Sequence, residues 1–186
     1  MSMFYYIAAN KELPTGSFGG RNPKVGEPPK VIKFKSVMLP KGSVPLEQII
    51  DLSKFKEDET EEYDTYEDAA GIYIRDLEEW NKGIKTQFKN PYIYQLSASW
   101  GSFIINEKIK NWDIEHYKAN LKCINELFNY IRRNISDNEE IEIYICWTNE
   151  EGEERNHNLD SIINLKTFSI GDNFELKERQ YILVRS

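Results

Sequence analysis

The sequence predicts an α+β fold: a single domain over residues 1–186, in which a largely antiparallel β-sheet, with mixed pairing allowed, packs against one long helix at about 113–135 and several short helices. Three observations lead there. A sustained helical period occurs once, late in the chain. Short apolar or alternating segments of strand character lie on both sides of it. The regular strand–helix–strand alternation that a parallel sheet requires is missing.

Residues 3–9 are rich in Phe, Tyr and Ile with no breaker, the pattern of a buried first strand. Residues 10–30 collect Pro14, Gly16, Gly19, Gly20, Pro23, Gly26, Pro28 and Pro29, so neither helix nor central strand is expected and the segment reads as a flexible loop. Residues 31–39 alternate Ile32 and Phe34 with Lys33 and Lys35, the period of a half-buried strand. Ser43 and Pro45 can then open a short helix carrying Leu46, Ile49 and Ile50.

Eight carboxylates crowd residues 57–68 with no Lys or Arg among them, and such a run must stay solvated because desolvating unpaired charge costs several kcal/mol or more. After it, 71–75 reads as a strand and 76–88 as a helix interrupted at Gly83. Residues 91–96 and 102–106 are two strands expected to form a hairpin.

The strongest signal is the recurrence of Ile114, Tyr117, Leu121, Ile124, Phe128, Ile131 and Ile135 at spacings of three and four, which places one apolar face on a helix. Asn111 is its expected cap, with Asp113 and Glu115 near its positive end and Arg132 and Arg133 near its negative end. Residues 140–147 then alternate Ile141, Ile143, Ile145 and Trp147 against Glu142, Tyr144 and Cys146, a strand with one apolar face. A helical turn at 159–163 and strands at 165–170 and 180–185 complete the expectation.

Composition excludes several functional classes. Lys and Arg number 24 against 31 Asp and Glu, a formal charge of -7 with a pI near 5.1, which opposes attraction to nucleic-acid phosphates and to anionic lipid. No apolar run approaches the ~20 residues of a membrane span, and no signal peptide is visible. Two cysteines, Cys123 and Cys146, are too few for a secreted disulfide framework, so the expected compartment is the cytoplasm. Heavy use of Ile, Lys and Asn points to an AT-rich, bacterial genome. Charge is polarised along the chain, +4 over residues 1–50 and -6 over 51–100.

The catalytic inventory is thin. His116 and His157 are the only histidines, and each reads better as an exposed polar side chain than as a general base. Neither zinc nor calcium spacing is present, and no metal or cofactor is expected. An enzyme acting on a small polar substrate would have to draw on Arg75, Arg155 and His157. A pocket for a phosphorylated ligand could form from Gly19, Gly20, Arg21 and Lys24, although that loop matches no phosphate-binding motif. The preferred expectation is a non-catalytic module that binds a basic protein partner. Its contact residues would be Glu57, Asp58, Glu59, Glu61, Glu62, Tyr63, Asp64, Tyr66, Glu67 and Asp68, with the two tyrosines as anchors inside the negative patch. In size, charge and poverty of catalytic residues the chain resembles the immunity proteins that neutralise bacterial toxins. That likeness covers no motif and transfers no residues. Oligomeric state is left open.

Overall fold

The computed structural model describes residues 2–20, 31–34 and 60–186. The short helix expected at 43–50, the continuation of the 31–39 strand past Phe34, and Arg21, Lys24, Glu57, Asp58 and Glu59 lie outside the described residues.

The strands are β1 (Met3–Ala9), β2 (Gly16–Phe18), β3 (Val31–Phe34), β4 (Thr60–Tyr63), β5 (Gly71–Asp76), β6 (Tyr92–Ser99), β7 (Ile104–Ile105), β8 (Glu140–Trp147), β9 (Ser161–Asn164), β10 (Phe174–Glu175) and β11 (Tyr181–Arg185). The helices are α1 (Tyr66–Ala69), α2 (Glu107–Trp112) and α3 (Ile114–Asn134), with 3₁₀ segments at Glu79–Gln87 and His157–Leu159. Seven strands form the main sheet in the order β2-β5-β6-β1-β8-β11-β9. Every neighbour is antiparallel except β9, which runs parallel to β11. Two small sheets flank it, β3 with β4 in parallel and β7 with β10 antiparallel. The α+β class, with a mostly antiparallel sheet and one long helix, is therefore the fold observed.

Pleating sends Ile72 and Ile74, Leu96, Ile7, Ile141, Ile143 and Ile145, and Ile182 and Val184 to one side of the sheet, where α3 covers them with Ile124, Leu127, Phe128 and Ile131. Phe128 lies at the centre, its ring 4.4 Å from Phe168 and 5.7 Å from Phe174. Burial of such a side chain stabilises the fold by about 1.5–3 kcal/mol. Asp113 caps α3 by accepting from the His116 N–H, and Arg132 and Arg133 occupy its last turn.

The other face is covered as well, which the alternation in 140–147 did not foretell. Tyr144 and Cys146 are buried there with Tyr6 and Tyr181, beneath Ile84 of the first 3₁₀ segment. Glu142 is buried on the same side.

Several expectations are corrected by tertiary contacts. The hairpin of 91–96 with 102–106 does not form: β6 pairs with β5 and β1, while β7 pairs with β10. The chain leaves the sheet at Trp100, whose φ is 57°, and Gly101 then presses on α3. A Cβ on Gly101 would lie 2.8 Å from Cys123 Sγ and 2.9 Å from the Ala119 carbonyl. Asn120 holds this exit, accepting from Ser102 N–H and donating to the Ile104 carbonyl, both at 2.8 Å. Residues 107–112 form α2, capped by Asn106, so Asn111 belongs to that helix and Asp113 caps α3. Ile114 is exposed, and the buried stripe of α3 runs through Tyr117, Asn120, Cys123, Leu127 and Tyr130 beside the residues of the expected face. Residues 161–164 form a strand where a helical turn was expected, because pairing with β11 outweighs a weak local preference; 165–170 forms none. The Gly/Pro-rich loop contains β2. Residues 76–88 include a 3₁₀ segment instead of an α-helix.

Candidate functional site

The acidic segment is built into the fold rather than looped out. Its first part is β4, in register with β3 so that Lys33 lies opposite Glu62 and Phe34 opposite Tyr63. Thr65 then caps α1 in a reciprocal box. Asp68 N–H donates to Thr65 Oγ1 at 3.2 Å, and the Asp68 carboxylate accepts from Thr65 N–H at 3.0 Å. Lys122 on α3 donates to the carbonyls of Glu67 and Asp68, at 2.6 and 3.2 Å, which ties the turn to the long helix. Glu62, Asp64, Glu67 and Asp68 remain exposed, while Glu61 is half-buried. Asp64 and Glu67 form no ion pair among the described residues.

Tyr63 and Tyr66 are half-buried rather than fully exposed as expected. Both pack on Phe34, whose ring lies 6.2 Å from Tyr63, 4.6 Å from Tyr66 and 5.0 Å from Trp100. The His116 ring stacks 4.7 Å from Tyr66 and is held by Asp113 at 2.7 Å. The exposed aromatic of this cluster is Trp100, 46% accessible and in the left-handed region. A bulky residue rarely adopts that conformation, which costs about 1–3 kcal/mol and is found most often at functional positions. Trp112, 79% accessible, ends α2 one residue before Asp113. The sequence signal for Trp100 was the Ser-Trp-Gly-Ser turn following a strand, which composition alone does not single out.

A shallow depression of about 420 Å³ joins two of the sequence candidates: Gly19 and Gly20 line it together with Glu62, Tyr63, Asp64 and Asp68. The glycines allow close chain approach. A Cβ on Gly19 would meet Glu126 Cγ at 2.2 Å, and one on Gly20 would meet the Ala69 carbonyl at 2.9 Å. Three carboxylates around this space oppose an anion and favour a positive group.

The residues of the enzymatic alternative are only partly brought together. Arg155 Nε lies 3.2 Å from His157 Nδ1, which is 3.1 Å from Asp160 Oδ2, and the Arg155 guanidinium sits 4.1 Å above the Tyr181 ring. Arg75, on β5, instead pairs with Gln95 of β6 and with Glu78 in the segment after β5. Three strands separate β5 from β11, a distance of roughly 19 Å at ~4.8 Å per strand.

Between these arginines runs a row of side chains in register across the covered face: Arg75, Gln95, Tyr6, Tyr144 and Tyr181. Asn81 donates to the Tyr6 hydroxyl at 2.9 Å, and the Tyr181 hydroxyl donates to Glu142. Burial raises all three tyrosines, Tyr144 to about 12, and raises the thiols of Cys123 and Cys146 to about 11 and 12. These groups stay protonated at neutral pH and supply neither a base nor a thiolate. Among the described residues no group of three or more His, Cys, Asp or Glu is placed to hold a metal ion, and no helix is long and apolar enough to cross a membrane.

Comparison with protein-family models, with curated proteins and with solved structures returned no significant match. The functional reading therefore rests on the chain's own residues.

Proposed function

We propose that the chain is a non-catalytic binding module that docks a basic protein partner through the acidic corner formed by Glu61, Glu62, Asp64, Glu67 and Asp68, with Trp100 as its aromatic anchor. The observation that carries this reading is an exposed tryptophan, held in a costly backbone conformation, on a cluster that includes two tyrosines of the acidic segment. Carboxylates displayed to water raise the encounter rate with a positive surface, and a tryptophan buried on docking slows dissociation. The half-buried Tyr63 and Tyr66 support the Trp100 ring through Phe34 and do not need to touch the partner. In size and charge the immunity proteins are the class this module resembles, and a basic toxin is the kind of partner such a surface fits.

The test is to capture binding proteins with the full chain and measure association and dissociation rates against salt for wild type, Asp64→Asn with Glu67→Gln, and Trp100→Ala. The carboxylate pair should slow association and flatten its salt dependence. Trp100→Ala should speed dissociation by about thirtyfold, the equivalent of ~2 kcal/mol. Rates indifferent to salt and to all three substitutions would remove the proposal.

A further inference from the structure

A second pocket lies at the opposite end of β5 from the Gly19–Gly20 depression, where the chain after β1, the end of β5, the start of β6 and the first 3₁₀ segment meet. Its volume is about 520 Å³, inside the ~300–1,000 Å³ range of small-molecule sites. Glu12, Asp76 and Lys85 reach its rim from three separate elements, and Leu77, Tyr92 and Ile93 supply apolar wall. The Tyr94 hydroxyl fixes one side by accepting the Leu13 N–H at 3.0 Å.

None of the three charged side chains makes an ion pair or hydrogen bond among the described residues. Charges of both signs thus line one pocket without closing on each other, although they are carried on side chains long enough to pair elsewhere on this surface, as Lys11 does with Glu139 at 2.6 Å. The lining is mainly polar, with Leu77 and Ile93 as its aliphatic part, and these uncommitted charges define the ligand they would complement.

We propose that this pocket binds a free basic α-amino acid. Two carboxylates and one ammonium call for a ligand with two positive groups and one negative group. An α-amino acid with a cationic side chain carries that set on an aliphatic stem. Glu12 and Asp76 take the two cationic groups, Lys85 takes the α-carboxylate, and Leu77 and Ile93 pack the stem. Tyr92, 40% accessible, adds an aromatic ring to the lining, a group that attracts a guanidinium. A phosphorylated ligand is disfavoured by the same two carboxylates.

Calorimetry and amide chemical shifts on the full chain test this with three probes: L-arginine, agmatine, which lacks the carboxylate, and L-norleucine, which lacks the side-chain cation. L-arginine should bind and shift the resonances of Leu77, Tyr92 and Ile93, with agmatine and L-norleucine each weaker by about tenfold, one charge-assisted contact apiece. Asp76→Asn should weaken L-arginine about tenfold, and Lys85→Gln should abolish the preference for L-arginine over agmatine. All three residues are exposed or at the rim, so the variants should fold as wild type does. No heat and no shifts up to about 10 mM L-arginine, equal binding of agmatine, or an unaffected Asp76→Asn would each overturn the proposal. The protein-binding corner would be untouched by that failure, because it shares none of these residues.

Discussion

Glu142 is 1% exposed, on the sheet face away from α3, and its carboxylate accepts from three donors. Lys89 N–H donates at 3.0 Å, Asn90 N–H at 2.7 Å, and the Tyr181 hydroxyl is the third donor. Glu142→Leu keeps the approximate volume and removes every acceptor. Three orphaned donors at about 2 kcal/mol each cost about 6 kcal/mol, and burying the leucine side chain returns up to about 3 kcal/mol, so a net loss of about 3 kcal/mol is expected. Against a total of roughly 5–15 kcal/mol that is a large fraction, and it corresponds to about 6–12 °C in Tm. Urea unfolding followed by tryptophan fluorescence reads it. The sharper form uses Tyr181→Phe in both backgrounds. In wild type it deletes a bond to a charged acceptor and should destabilise by about 1.5 kcal/mol; in Glu142→Leu it deletes an orphaned hydroxyl and should stabilise. A Glu142→Leu protein within ~0.5 kcal/mol of wild type, or a Tyr181→Phe effect of the same sign in both backgrounds, would refute the reasoning.

Glu139 is held by Lys11 Nζ at 2.6 Å and by Ser136 N–H at 2.8 Å, which depresses its carboxyl from the ordinary 4.5 to about 2. A depressed folded value means that its stabilisation is fully present above about pH 4.5 and is lost as pH falls towards 2. Lys11→Met should raise the midpoint of the Glu139 carboxyl resonance, and an unchanged midpoint would show that the lysine does not matter. Cys123 and Cys146 are fully buried with thiols raised to about 11 and 12, so a disulfide-exchange reagent at pH 8 should label neither until urea is added. Rapid labelling of the native protein would contradict their burial.

The parts of the fold legible in the sequence are those whose pattern is local. Residues 113–135 carry enough spaced apolar side chains to specify a helix against any neighbour, and β1, β8 and β11 read directly from uninterrupted or alternating apolar runs. Pairing was less legible. Residues 91–96 and 102–106 looked like a hairpin because adjacent strands usually pair, yet Asn120, on a helix further along the chain, directs the exit of the first strand. Helix α2 buries none of its residues, so it has no apolar stripe to announce it, and only the Asn106 cap marks its start. The charge of the acidic segment could be counted, but the support of its tyrosines by Phe34 and the exposure of Trp100 come from strands far apart in sequence. The pocket at Glu12, Asp76 and Lys85 left no trace in spacing, since three unrelated elements supply one charge each.

The position of β1 at the middle of the main sheet has a consequence for how the chain is made. Among the described residues it is the only strand joining the half built from β2, β5 and β6 to the half built from β8, β11 and β9. Its partner across one edge, and the Glu151 that meets Tyr6 from 145 positions away, leave the ribosome long after it does. Until then one border of an apolar ribbon has no mate, an invitation to stick to other nascent chains. Closure of the sheet is therefore a late, long-loop event, and a chain stalled before residue 140 should need a chaperone to stay in solution.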